Sequence, residues 1–205
     1  MSKNADKPNG AKAGWKLLRS ETQFENEIFR VREDEVELKG GKKMQYAYLE
    51  RDPAVVIVPI TKAGEMVMLR QYRYTVDEWC LEIPAGGTHD KRDASLDEVV
   101  REELREEVGA TVESLREIDF FYPANALADE KVHIFLAEGV ELSKKPKTEA
   151  SEEIEMQLVP VAKAVQMARD GAVKTGPCAL AILLAEPYLQ KYLRGGRTPD
   201  DQLET

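Results

Sequence analysis

The chain is poor in the residues that build cross-links and soft-metal sites. Its 205 residues include two cysteines and two histidines. Cys80 and Cys178 lie far apart, with no Cys-x-x-Cys pair and no His/Cys cluster around either. That spacing excludes a disulfide framework and a structural zinc site and leaves both residues as reduced core thiols. No run of about 18 apolar residues occurs, so no transmembrane helix is expected. Met1 to Lys16 carry Lys, Asn and Gly but not the apolar centre of a secretory leader. A soluble, cytoplasmic protein is the expectation. Positive charge is also scarce: 29 Lys and Arg stand against 38 Asp and Glu, a net charge of −9. This balance opposes a broad surface for nucleic acid or anionic membrane, so neither is expected as a partner. A local basic pocket for a phosphate ester stays open. Internal repeats and heptad runs are absent.

What is present is a globular pattern, 42% hydrophobic, in a length suited to one well-buried domain plus a small appendage. Residues 1–13 lack periodicity and read as a disordered arm. Residues 14–50 read as a β-rich appendage, in which Phe29 to Leu38 and Met44 to Leu49 alternate on either side of a Gly40-Gly41 turn. Residues 51–195 form the main domain and 196–205 a tail. Ala54 to Ile60 is continuously apolar, as in a strand buried on both faces, and Lys62-Ala63-Gly64 turns into a second strand, Glu65 to Arg73. Leu96, Val99, Val100, Leu104 and Val108 predict a helix over 93–108, with Gly109 as its left-handed stop. Its apolar side is expected on the sheet and its glutamates outward. Strands over 115–122 and 132–137 flank the loop 123–130, another strand begins near Ser151, and helices are predicted over 161–170 and 178–192. The expected class is α/β, a mixed sheet between helices.

The helix over 93–108 is also where chemistry is concentrated. Glu103, Glu106 and Glu107 stand at i, i+3 and i+4 on one stripe, with Glu102 beside them. Like charges so spaced destabilise a bare helix by a few tenths of a kcal/mol each. Such a cluster suggests a counter-ion, and oxygen donors suit Mg²⁺ or Mn²⁺ rather than zinc. A solvated face laced with alternating arginines is the competing description.

The order strand, Pro84-Ala85-Gly86-Gly87, carboxylate helix, glycine stop resembles the Nudix hydrolase superfamily. Its signature runs Gly, five residues, Glu, seven residues, then Arg-Glu-apolar-x-Glu-Glu-x-Gly-apolar. Leu69-Arg70-Gln71-Tyr72-Arg73, Trp79 to Gly86, Tyr122-Pro123, Glu130 to Ala137 and Ser151 to Glu155 are similar to the ADP-ribose pyrophosphatase and nucleoside diphosphate sugar hydrolase branch. The likeness covers roughly residues 15 to 190, and several ordered segments make chance agreement improbable. It implies a Nudix-type α/β/α sandwich with a small N-terminal β-rich appendage. The box departs from the signature. With Gly109 as anchor, Glu102 stands at the family's arginine and Ala94 at its early glutamate, and the loop after Gly86 carries an insertion around Thr88 to Arg92. A register starting from Gly87 gives Asp93 and Arg101 at the right spacings but forces an insertion into the helix. The first register keeps the Val100/Leu104 row, and leaves open whether Arg101 or Arg105 replaces the missing arginine.

The resemblance implies Mg²⁺, with Mn²⁺ as the alternative, held by Glu103, Glu107, Glu106 and the backbone carbonyl of Ala85. It implies a general base from the loop carrying Glu152 and Glu153, with Glu106 as a further catalytic carboxylate. Arg73 falls at the phosphate-contacting arginine, Glu82 near the metal, and Glu130 against substrate; Arg70 is a further candidate. Trp15 is a candidate platform for the base, as are Phe29, Tyr46 and Tyr48. His133 reads as a core histidine, and His89 lies in the lengthened loop. The appendage implies a homodimer. The implied activity is Mg²⁺-dependent hydrolysis of the pyrophosphate bond of an ADP-sugar such as ADP-ribose, giving AMP and a sugar phosphate. Alternatives are another nucleoside diphosphate hexose such as GDP-mannose, or a weakly catalytic nucleotide-binding regulator.

Overall fold

The computed structural model describes residues 8–146 and 153–193, which group into two compact units. The described residues up to Pro53, together with Tyr122–Lys131, make the first. It is built on an antiparallel sheet in the order β1 (Lys16–Glu25), β2 (Phe29–Glu37), β3 (Lys43–Arg51). Register Val36↔Met44 and Glu37↔Lys43 places Gly40 and Gly41, both at positive φ, in the turn, as the double glycine predicts. Tyr48 is buried in this unit, and Phe24, Ile28 and Tyr46 are exposed on it.

The second unit carries a mixed sheet among the described residues. Its strands are β4 (Ala54–Thr61), β5 (Glu65–Arg73), β6 (Glu78–Glu82), β7 (Ala85–Gly87), β8 (Ala110–Thr111), β9 (Ser114–Phe121), β10 (Val132–Leu142) and β11 (Ile154–Pro160). The central order is β11-β5-β4-β10-β8, with β4 and β10 parallel. Alternation along the two central strands sorts their side chains to two cores. Val56, Val58, Ile60, Ile134 and Leu136 face α2 (Val161–Arg169) and α3 (Gly176–Ala185). Val55, Ile57, Phe135 and Ala137 face α1 (Leu96–Glu107). The continuous apolar run 54–60 therefore marks a strand covered on both faces, and the result is the expected α/β/α layering. No helix among the described residues is long and apolar enough to cross a membrane.

Three elements differ from expectation for identifiable reasons. The helix begins at Leu96 rather than 93, because Ser95 caps it: the Ser95 hydroxyl accepts from the Glu98 N–H at 3.3 Å and the Glu98 carboxylate accepts from the Ser95 N–H at 2.8 Å. The helix expected over 178–192 starts earlier, at Gly176, and ends at Ala185, giving way to a 3-10 turn at Glu186–Tyr188 and a short α4 (Gln190–Leu193). Pro187 has no N–H to continue the ladder. β10 runs on to Leu142 past a register shift at Gly139, whose φ of 71° lets the strand bulge and continue to pair with β8.

Candidate active site

α1 is uninterrupted from Leu96 to Glu107, so the extra residues of the box lie in the loop before it. Val99, Val100 and Leu104 have no exposed surface; each stabilises the helix against the sheet by about 1.5–3 kcal/mol. Glu103 and Glu107 flank this seam one turn apart and are buried as well, 8% and 6% exposed. The expectation that the helix turns its glutamates outward is therefore corrected for these two. They sit at the edge of the apolar face, under the loop of residues 84–86, whereas Glu106 is partly exposed.

That loop is shaped to admit them. Glu107 Oε2 accepts from the Ala85 N–H at 3.2 Å. A methyl group placed on Gly86 would overlap the Glu103 carboxyl carbon and both its oxygens, so a side chain there would have to push the carboxylate off the loop backbone it lies against. Gly109 ends the helix at φ 65°, where a side chain would meet the Lys144 carbonyl. Its own carbonyl accepts from the N–H groups of Ser143 at 3.2 Å and Lys144 at 3.0 Å.

A cation stands among the carboxylates. Lys91 Nζ donates to Glu103 Oε1 at 2.8 Å and to Glu106 Oε2 at 3.4 Å, with Asp90 Oδ2 at 3.9 Å. Burial alone lowers the Lys91 pKa, but its hydrogen bond to Glu103 and the charges of Glu103, Asp90 and Glu106 outweigh that and hold it above the ordinary amine value. Burial raises the Glu103 pKa, against the opposing pull of Lys91. The helix's own arginines are engaged elsewhere: Arg105 donates to Glu102 at 2.8 Å and Arg101 to the Val112 carbonyl at 3.0 Å. Pairing with the box glutamates falls instead to Lys91, from the lengthened loop.

Beside this cluster, Arg73 at the end of β5 forks onto Glu82 of β6. Its Nε reaches Oε1 at 3.0 Å and a terminal nitrogen reaches Oε2. Glu82 is 3% exposed and also accepts from the Thr175 hydroxyl, which precedes α3, at 2.9 Å. The Glu82 hydrogen bond is the main cause of the raised Arg73 pKa, and the charge of Glu107 adds to it. The second unit thus brings together Glu103, Glu106, Glu107, Ala85, Arg73 and Glu82.

The other candidates make contacts of their own. Arg70 pairs with Glu155 at 2.9 Å and lies 4.5 Å over the Trp79 ring. Glu153 is exposed at the start of β11, where its carbonyl accepts from the Tyr72 N–H at 3.4 Å; Glu152 is outside the described residues. Glu130 and Trp15 belong to the first unit. There Glu130 is buried and paired with Arg51 at 3.2 Å, and Trp15 donates its backbone N–H to the Gly10 carbonyl at 3.0 Å. Half-buried His133 contacts Glu117 at 2.6 Å, and His89 lies close to Gly87. Lys91 and Thr175 were not anticipated. A cation in the inserted loop, opposite a missing arginine, was the available signal for Lys91; Thr before Gly-Pro at a helix start was the signal for Thr175.

The donors around α1 are carboxylate oxygens, the chemistry of a hard divalent cation. Buried Glu103 and partly exposed Glu106, both bonded to one ammonium, show that the place calls for positive charge. Among the described residues no three His, Cys, Asp or Glu side chains close on a single point; Lys91 stands between Glu103 and Glu106.

Strand, glycine loop, capped carboxylate helix and an α/β/α sandwich define a class, and comparison with known proteins agrees. Residues 50–177 match the NUDIX domain, and residues 15–49 match the nucleoside diphosphate sugar hydrolase N-terminal domain. The chain belongs to the Nudix hydrolase family. It is 30% identical over 176 residues to an ADP-ribose pyrophosphatase of Bacillus subtilis, covering 85% of this chain and 92% of that protein. An ADP-ribose pyrophosphatase of Mycobacterium tuberculosis is also 30% identical over 176 residues, 85% of this chain and 84% of the relative. The crystal structure of an ADP compounds hydrolase shares the fold, with a TM-score of 0.75, 22% identity and coverage of 86% and 95% of the two chains.

Proposed function

We propose that the protein hydrolyses the pyrophosphate bond of an ADP-sugar such as ADP-ribose, releasing AMP and a sugar phosphate, and that it requires Mg²⁺ or Mn²⁺. The observation that carries this reading is the pair of buried carboxylates, Glu103 and Glu107, packed under the glycine loop at residues 84–86. Kinship with two ADP-ribose pyrophosphatases supports the choice of substrate.

Glu103, Glu107, Glu106 and the Ala85 carbonyl would hold the divalent cation. Bound there, it would neutralise charge on the phosphate oxygens and acidify a water. The remaining work belongs to side chains. Arg73, oriented by its fork onto Glu82, offers charge to the diphosphate, and a guanidinium suits two phosphate oxygens at once. Glu82 acts by positioning Arg73, since both its oxygens already accept hydrogen bonds. Glu153, exposed and ahead of β11, is the proposed acceptor of the proton from the attacking water, with Glu152 as its neighbour in sequence. Glu130, Trp15 and Arg70 are kept as substrate contacts, and the first unit as the dimerisation element.

A substrate panel tests the reading: ADP-ribose, ADP-glucose and GDP-mannose, each with and without Mg²⁺, followed by separation of nucleotide products. The expected result is Mg²⁺-dependent AMP release, fastest from ADP-ribose. Preference for GDP-mannose would move the substrate to a nucleoside diphosphate hexose, and no turnover of any member would overturn the enzyme reading. Glu153→Gln and Glu152→Gln, singly and together, should lower kcat by roughly 10²-fold with KM nearly unchanged, as loss of a general base does. A change confined to KM would make them binding residues.

A further inference from the structure

We infer that Lys91 is a built-in counter-ion that holds the metal-binding carboxylates until a divalent cation displaces it, so that Lys91 sets the affinity for the metal. The inference rests on the metal assignment above and adds a residue outside the family's box.

Three observations converge. The ammonium is 2.8 Å from Glu103 and 3.4 Å from Glu106, two of the proposed ligands, and its side chain is only 14% exposed. Its backbone is fixed rather than trailing: the Lys91 N–H donates to the Thr88 carbonyl at 3.1 Å and the Lys91 carbonyl accepts from the Ala94 N–H at 3.0 Å. Among the described residues, the two cations of α1 are engaged elsewhere, Arg101 with the Val112 carbonyl and Arg105 with Glu102. Without positive charge, Glu103 would be a buried carboxylate pressed against Gly86 and close to Glu106 and Glu107 on the same stripe. An ammonium satisfies that arrangement with a single charge and three donors.

A dication cannot share the same oxygens. Coordination of a divalent ion by Glu103 and Glu106 would place it within about 4 Å of the ammonium, where like charges repel strongly in a partly dry site. The ion therefore exchanges with Lys91, which swings out on its flexible stem while the loop stays anchored by its two turns. Lys91 is a positioning residue: it keeps the ligands together in the metal-free protein and weakens metal binding by competing for them.

Two measurements test this. Mn²⁺ titration followed by the free-ion EPR signal should give wild-type binding, and binding at least about fivefold tighter in Lys91→Met, which keeps the stem and removes the charge. Unchanged or weaker Mn²⁺ binding in Lys91→Met would overturn the inference. No Mn²⁺ binding by the wild type would instead overturn the metal assignment itself. The second measurement needs no variant. Reductive methylation of the wild-type protein, mapped by mass spectrometry, should label Lys91 slowly without metal and several-fold faster with saturating Mg²⁺. Labelling that stays the same or slows with Mg²⁺ would show that the ammonium is not displaced.

Discussion

Buried polar side chains tie the candidate site to the stability of the second unit. Cys178 at the start of α3 is buried, and its thiol donates weakly to the Ile83 carbonyl at 3.8 Å, on the chain that leads from Glu82 to Ala85. Burial pushes its pKa from the ordinary 9.0 up to about 12. A folded-state value above the unfolded one means that the stability involved is whole below about pH 9 and is lost as pH rises towards 12. Thermal melts should therefore show a steeper fall in Tm between those values for the wild type than for Cys178→Val. Parallel curves would show that this thiol has no part in alkaline unfolding. From sequence Cys178 was legible as a core thiol, but its contact with the backbone beneath the site was not, because it spans 95 residues of chain.

The glycine loop and α1 act as a pair of elements, and their fit is the most specific local feature of the structure. Gly86 does not adopt positive φ; what a Cβ there would do is displace the Glu103 carboxylate. Gly86→Ala should therefore leave α1 helical by circular dichroism while weakening Mn²⁺ binding by at least about tenfold, as for displacement of a metal ligand. Normal binding would mean that the carboxylate tolerates the shift. The helix itself was readable from its 3.6-residue period and its glycine stop, and its carboxylates from their i, i+3, i+4 spacing. Their burial was not. Periodicity assigns Glu103 and Glu107 to the polar side, yet they stand at its margin and the loop of residues 84–86 closes over them. Lys91 escaped for a related reason: its partners lie 12 and 15 residues away, across a loop whose path no periodicity describes.

At the scale of the molecule, the α/β layering was legible because Ala54 to Ile60 is apolar without alternation, which demands cover on both faces. The parallel pairing of β4 with β10 and the sorting of side chains between two cores were not, since strand order depends on contacts across most of the chain. For the proposed dimer, the first unit offers a small sheet with Phe24, Ile28 and Tyr46 exposed. Sedimentation equilibrium should give twice the monomer mass, and Phe24→Glu with Tyr46→Glu should shift it to one; a monomeric wild type would remove the dimer from the account. The central claim, that the buried carboxylates of α1 hold the catalytic cation, is tested most directly by Mg²⁺-dependent turnover of ADP-ribose by Glu107→Gln beside the wild type. The account predicts a fall in kcat of roughly 10³-fold or more, with the melting profile retained. Wild-type turnover in Glu107→Gln would contradict it.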